Sequence, residues 1–145
     1  MAILADTNIL LRSLYPEHPH YSIAESALST LRLHNETLCI AAQNLIEFWA
    51  VATRSRDENG LGMTTAMAAG EIATLRRFFR LLASTPDVLE PWQRIVTNLG
   101  ISGKQTHDAH LVAIMQVYSV RTILTFNAGH FKRFTGITVL DPSQV

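Results

Sequence analysis

The feature that most constrains this chain is an alternation. Short apolar runs at Ala2–Asp6, Thr37–Ala41, Arg121–Phe126 and Ile137–Leu140 are separated by longer segments whose apolar residues recur every three or four positions. Runs apolar on both sides of a strand need cover on both faces of a sheet, and the intervening amphipathic segments supply it. The order predicts an α/β fold of three layers, α/β/α, around a central, mostly parallel sheet.

The helical segments can be delimited. Thr7-Asn8 opens the apolar stretch Ile9–Leu14, which Pro16 and Pro19 close, and Ile23, Ala24, Ala27, Leu28 and Leu31 put one face on a helix over Tyr21–His34. Gln43–Arg54 is a helix apolar around most of its circumference, halted by the polar stretch Ser55–Gly62. Thr64–Leu82 starts with a capping Thr, runs through Ala-rich helix formers and ends in Phe78, Phe79, Leu81 and Leu82, the longest helix expected. Val88-Leu89 reads as a short strand, Pro91 as the start of a helix through Trp92–Leu99, and Gly103–Thr106 as a loop. His107–Tyr118 is a further helix, and Asn127–Phe134 a short one.

At 145 residues the chain has the length of one domain, expected to span residues 1–145, and 48% hydrophobic against 17% charged residues is a globular composition. No run reaches the roughly 18 apolar residues needed to cross a bilayer and no basic leader opens the chain, so a cytoplasmic location is expected. Cys39, alone in the sequence, reads as a buried strand position. Net charge is zero, so bulk charge does not advertise a nucleic-acid partner; ten of the twelve basic residues are nevertheless Arg, whose planar fork suits phosphate.

Ligands of open parallel sheets bind beyond the carboxyl ends of the strands, which directs scrutiny to Asp6 and Asn127. Each also has a structural explanation as a helix cap, and Asp108, behind Thr106, is explained by the helix dipole. Glu47 stands in the middle of the apolar Leu45-Ile-Glu-Phe-Trp49. It belongs either to a narrow solvated stripe with Gln43 and Arg54 or to a site that gives a buried carboxylate a partner. As a set, Asp6, Glu47 and Asp108 would repel one another unless a divalent cation compensated them, and carboxylates suit hard Mg2+, or Mn2+, where zinc would want His or Cys. His107 and His110 lack the spacing and thiol partners of a zinc site. Lys104, Arg12 and Arg54 lie within a few residues of these positions and are candidate phosphate contacts, with solvated surface charge the plainer reading for either Arg and a functional one favoured for Lys104, in the loop before Asp108. Trp49 and Phe126, which could stack on bases, read as core.

Four short motifs in this order resemble the PIN domain: Asp6-Thr7-Asn8 after the first strand, Asn44-Leu-Ile-Glu47-Phe, His107-Asp108-Ala109, and Leu124-Thr-Phe-Asn127 with His130-Phe131. Their length and order are most similar to the VapC-type toxins of toxin–antitoxin pairs, over Ala2 to about Leu140. The resemblance implies a magnesium-dependent endoribonuclease in which Asp6, Asp108 and Glu47 bind the metal or the attacking water, with Thr7, Asn8 and Thr125 in support. It also implies a homodimer and a small cognate antitoxin whose C-terminal segment lies in an apolar groove, to which Phe78 and Phe79 could contribute. Asn127 stands where the family frequently has a fourth acid; its neutral oxygen favours one metal over two.

Three other readings stand beside this one. A haloacid-dehalogenase-type phosphohydrolase would want an acid where Asn8 stands. A PIN-like module that binds RNA or protein without cutting would follow from loss of the fourth acid, and a PIN nuclease outside any toxin–antitoxin pair is the remaining variant.

Overall fold

The computed structural model describes all residues 1–145. Its sheet has five strands, β1 (Ala2–Ala5), β2 (Thr37–Ala41), β3 (Arg80–Leu82), β4 (Thr122–Leu124) and β5 (Thr138–Leu140), in the order β3-β2-β1-β4-β5. Every adjacent pair is parallel, so the expectation of a mostly parallel sheet is met in full. Six helices surround it: α1 (Thr7–Ser13), α2 (Tyr21–Leu33), α3 (Ala42–Thr53), α4 (Thr65–Phe78), α5 (Leu89–Leu99) and α6 (Gln105–Val117).

Two cores follow from the strand alternation. Ile3, Ala5, Leu38 and Ile40 bury themselves with Ile9, Leu10, Leu28, Phe48, Ala52 and Leu75 of α1–α4. Their strand neighbours Leu4, Cys39, Ala41 and Ile123 bury themselves with Leu111, Val112, Ile114 and Met115 of α6 and with Phe131. Cys39 is free and buried as expected, and burial pushes its thiol up.

The structure corrects the sequence reading around β3. The long helix ends at Phe78, and Arg80–Leu82 leaves it to pair with Cys39–Ala41. Phe78 and Phe79 part company here: Phe79 is in the core at 5% exposure, while Phe78 stays out at 62%. Val88-Leu89 is no strand; Pro86–Val88 is a single 3-10 turn and Leu89 already begins α5. Pro91 sits third in α5, still within the first turn, where its missing N–H costs nothing. The expected short helix after β4 shrinks to one 3-10 turn, Ala128–His130.

The strand order reverses between β1, the central strand, and its neighbour β4. One half of the chain leaves β1 outward through β2 and β3, and the other leaves β4 through β5. At such a switch point the connections diverge and leave a crevice at the carboxyl edge. Asp6 follows β1 and Thr125 follows β4 at that crevice, joined there by the Asp6 N–H donating to the Leu124 carbonyl at 3.0 Å.

Candidate metal centre

Asp6 caps α1, its Oδ1 accepting from the Thr7 N–H at 2.8 Å. Capping engages only one of its two carboxylate oxygens. Oδ2 accepts from the Thr125 hydroxyl at 2.8 Å and, at 3.4 Å, from the Asn8 amide. Thr125 is fully buried, and its own oxygen accepts from Asn8 Nδ2 at 3.2 Å and from the Asn127 N–H at 3.0 Å. Asn8 Oδ1 in turn accepts from the Phe126 N–H at 3.2 Å, so its side chain ties α1 to the segment after β4.

Glu47 projects from α3, and both its oxygens are engaged. Oε2 accepts from the Thr7 hydroxyl and Oε1 from Gln43 Nε2, each at 2.7 Å. The buried Asn44 amide donates to the Thr7 oxygen at 3.1 Å, while Asn44 Oδ1 accepts from the Ala41 N–H at 2.8 Å at the start of α3. A chain of hydrogen bonds thus holds Glu47 against α1. The offset of four from Gln43, read from sequence as a stripe, is a real hydrogen bond, but it belongs to this network. Gln43 also donates to the His107 carbonyl at 3.0 Å, and its Oε1 shares a hydrogen bond with His110 Nδ1, which ties α3 to α6.

Asp108 lies in the first turn of α6, half-buried. A cleft of about 460 Å³ is lined by Glu47, Lys104, Gln105, His107, Asp108 and His130, with no apolar side chain among them. Burial, then the charge of Asp6, then that of Glu47 push the Asp108 carboxyl up to about 6, against the downward pull of His130 and His107. Asp6 is also raised, chiefly by burial and partly by Glu47, with its Thr125 and Thr7 hydrogen bonds opposing. The three acids therefore feel one another as uncompensated like charges.

Donor chemistry fits a hard divalent cation: the acids are oxygen donors, two of them are pushed toward protonation, and the cleft is polar and open to solvent. No three His, Cys, Asp or Glu side chains converge tightly enough to form a complete direct-ligand set.

The remaining expected residues divide. Lys104 is exposed at the rim of the cleft, whereas Arg12 on α1 and Arg54 beyond α3 are outside its lining. Asn127 is exposed, and it enters the network through its backbone N–H. The sequence reading places none of Gln43, Asn44, His110 and His130 in the site: Gln43 reads as part of a solvated stripe, and His110 is set aside as a zinc ligand. Asn44 and His130 stood inside quoted motifs, which was the available signal; the tie from Gln43 to His110 joins residues 67 apart and had none.

By sequence, no curated protein matches the chain. The fold is similar to a chain of VapBC2 from Rickettsia felis, solved bound to a promoter DNA fragment, with a TM-score of 0.74 at 16% identity over 97% of this chain and 98% of that one. It is similar also to VapBC-1 from nontypeable Haemophilus influenzae, TM-score 0.71 at 15% identity over 99% of each chain. A third likeness is to VapC20 of Mycobacterium tuberculosis, described as a toxin cleaving the sarcin-ricin loop, with a TM-score of 0.61 at 17% identity over 83% of this chain and 86% of that one. The PIN domain family matches residues 3–137, from the second residue of β1 to the threshold of β5, and the chain belongs to that family.

Proposed function

We propose that this chain is a divalent-metal-dependent endoribonuclease that hydrolyses RNA phosphodiester bonds, with residues 1–145 acting as a single PIN domain, and that it is the toxin of a toxin–antitoxin pair. The observation that carries the reading is the meeting of Glu47 and Asp108 on one open cleft, with Asp108 pushed up to about 6 by burial and by the charges of the nearby Asp6 and Glu47. Such a charge cluster is costly in the metal-free protein and serves a purpose once a cation compensates it.

Asp6 and Asp108 would hold Mg2+, or Mn2+, with Glu47 beside them. When bound, the ion polarises a phosphoryl oxygen and offsets charge on the leaving oxygen. Glu47, oriented through both oxygens by Thr7 and Gln43, positions the attacking water and takes its proton. Thr125 and Asn8 keep the Asp6 carboxylate aimed at the cleft. Lys104 grips a phosphate at the rim, Asn127 offers a neutral oxygen nearby, and Arg12 and Arg54 serve only a longer RNA.

The toxin assignment draws on the VapBC complexes that share the fold. An apolar hollow formed by Leu45, Ile46, Trp49 and Ile72 between α3 and α4, with Ile46 and Met67 exposed, suits the C-terminal segment of a small antitoxin. A homodimer and a cytoplasmic location complete the proposal; no helix here is long and apolar enough to cross a membrane.

The test compares cleavage of a mixed RNA pool by the wild-type protein and by Asp6→Asn, each with magnesium and with chelator. Cleavage lost on either change supports the reading. A folded, antitoxin-free wild type no more active than the mutant sinks it, and leaves the RNA-binding module that Asn127 favours. An adjacent reading frame for a small DNA-binding protein separates a toxin from a nuclease working alone.

A further inference from the structure

A second cavity, of about 330 Å³, opens beside the acidic cleft, walled by Thr85, Val88, Leu89 and Trp92 on one side and by His107 and His110 on the other. His107 lines both spaces. His110 reaches Glu47 through Gln43, so the far wall of the cavity is mechanically part of the proposed catalytic network. The near wall is the connection from β3 into α5, where Leu89 is 64% exposed at the first residue of the helix.

The lining has the chemistry of a nucleobase site. Trp92 has its only polar atom engaged, Nε1 donating to the Thr106 carbonyl at 3.0 Å, which leaves the rest of the indole as an apolar wall next to Val88. Polar groups able to read a base edge are present too: two imidazoles, and Thr85, whose buried hydroxyl has no hydrogen-bond partner. A buried hydroxyl left unpaired costs free energy that a ligand can recover. Flat apolar walls with a few hydrogen-bonding groups are how proteins hold unstacked bases of single-stranded RNA. The volume lies within the range of small-molecule pockets, and the cavity carries no acid to repel a nucleotide.

We propose that this cavity takes one unpaired nucleobase of the RNA, adjacent to the phosphate held at the acidic cleft, and so sets nucleotide preference at one position beside the cut. The proposal deepens the ribonuclease reading and rests on it for the identity of the polymer. A side chain of a protein partner is the rival occupant.

Binding is measured separately from cleavage, by anisotropy of labelled single-stranded RNA pentamers on Asp108→Asn without metal, where no cutting occurs. Intact pentamers should bind about tenfold tighter than those with an abasic residue at one particular position. In Trp92→Leu, and in Leu89→Gln at an exposed site that should not disturb folding, that discrimination should fall to twofold or less while abasic pentamers bind as before. Thr85→Val should alter which base is preferred. Equal binding of intact and abasic pentamers by the parent, no binding of any pentamer, or discrimination undiminished in both Leu89→Gln and a folded Trp92→Leu overturns the proposal; the last outcome favours a protein side chain as occupant. Wild-type protein that cuts RNA with magnesium yet ignores abasic substitution keeps the nuclease reading and loses the base site. Abasic discrimination without any cutting does the reverse.

Discussion

The two sides of the acidic cleft are built differently. On the β1 side, Asp6 is 9% exposed and both its oxygens accept hydrogen bonds; Glu47 likewise has both oxygens engaged by Thr7 and Gln43. On the α6 side, Asp108 is half-buried among the exposed Lys104, His107 and His130, and no protein hydrogen bond to its carboxylate is present. One side is preorganised by the protein and the other is left responsive. On the proposed reading, in which the site accepts an ion and then a phosphate, the fixed half sets geometry and the open half leaves charge for the ligands to complete.

The largest effect expected from breaking this contrast is at Asp108. If the proposed metal-dependent cleavage holds, Asp108→Asn should lower RNA cleavage by about a hundredfold or more, because the several kcal/mol of stabilisation a metal would supply there depend on that charge. The same change should raise the melting temperature of the metal-free protein at pH 7–8, since the carboxylate it replaces is held against Asp6. Lower stability of the variant in that range would show that the α6 side is prebuilt after all.

On the fixed side the sign reverses. Thr125→Val removes a hydroxyl from a fully buried position and leaves Asp6 Oδ2 without its short partner, which should cost about 1.5–3 kcal/mol in denaturant unfolding. Cleavage should fall as well, because the aim of Asp6 is lost.

The third effect concerns protons. The Asp108 carboxyl is raised from 3.8 to about 6, so the folded protein binds its proton more tightly than the unfolded chain does. Its contribution to stability is therefore fully present below about pH 4 and is lost as pH rises through about 6. Magnesium stabilises the ionised form, so adding it near pH 6 should release protons from the wild type and fewer from Asp108→Asn, as pH-stat titration would record. Equal release from both would place the ion away from Asp108.

The smallest effect is at Lys104, exposed on the open side. Lys104→Ala should leave the melting temperature unchanged, weaken RNA binding a few-fold, and reduce the slope of log affinity against log salt by about 1. An unchanged slope would take Lys104 off the phosphate path.

Legibility in the sequence followed the range of the interactions. Asp6 could be placed because it ends an apolar run, and Glu47 because a lone acid interrupts an apolar helix. Those signals are local. β3 was missed because Arg80–Leu82 continues the helix-compatible pattern of α4, and three residues with Arg80 and Leu81 exposed carry too little alternation to announce a strand. Only pairing with Cys39–Ala41 makes them one. The start of α6 at Gln105 rather than His107 is an end effect of the same kind, since Gly103 closes the turn by accepting from the Thr106 N–H.

By itself the sequence determined the alternation of strands and helices, the two-sided burial of the strands and the positions of the acids at element ends, because periodicity and chain-terminating residues act over a few positions. Only the tertiary structure decided that Thr125 would orient Asp6 from 119 residues away, that Thr7 would hold Glu47 across 40, and that His107 would border both the acidic cleft and the cavity beside it. Those partnerships arise from a strand order that sets β4 beside β1, and no local pattern of residues encodes which strand a sheet will place next.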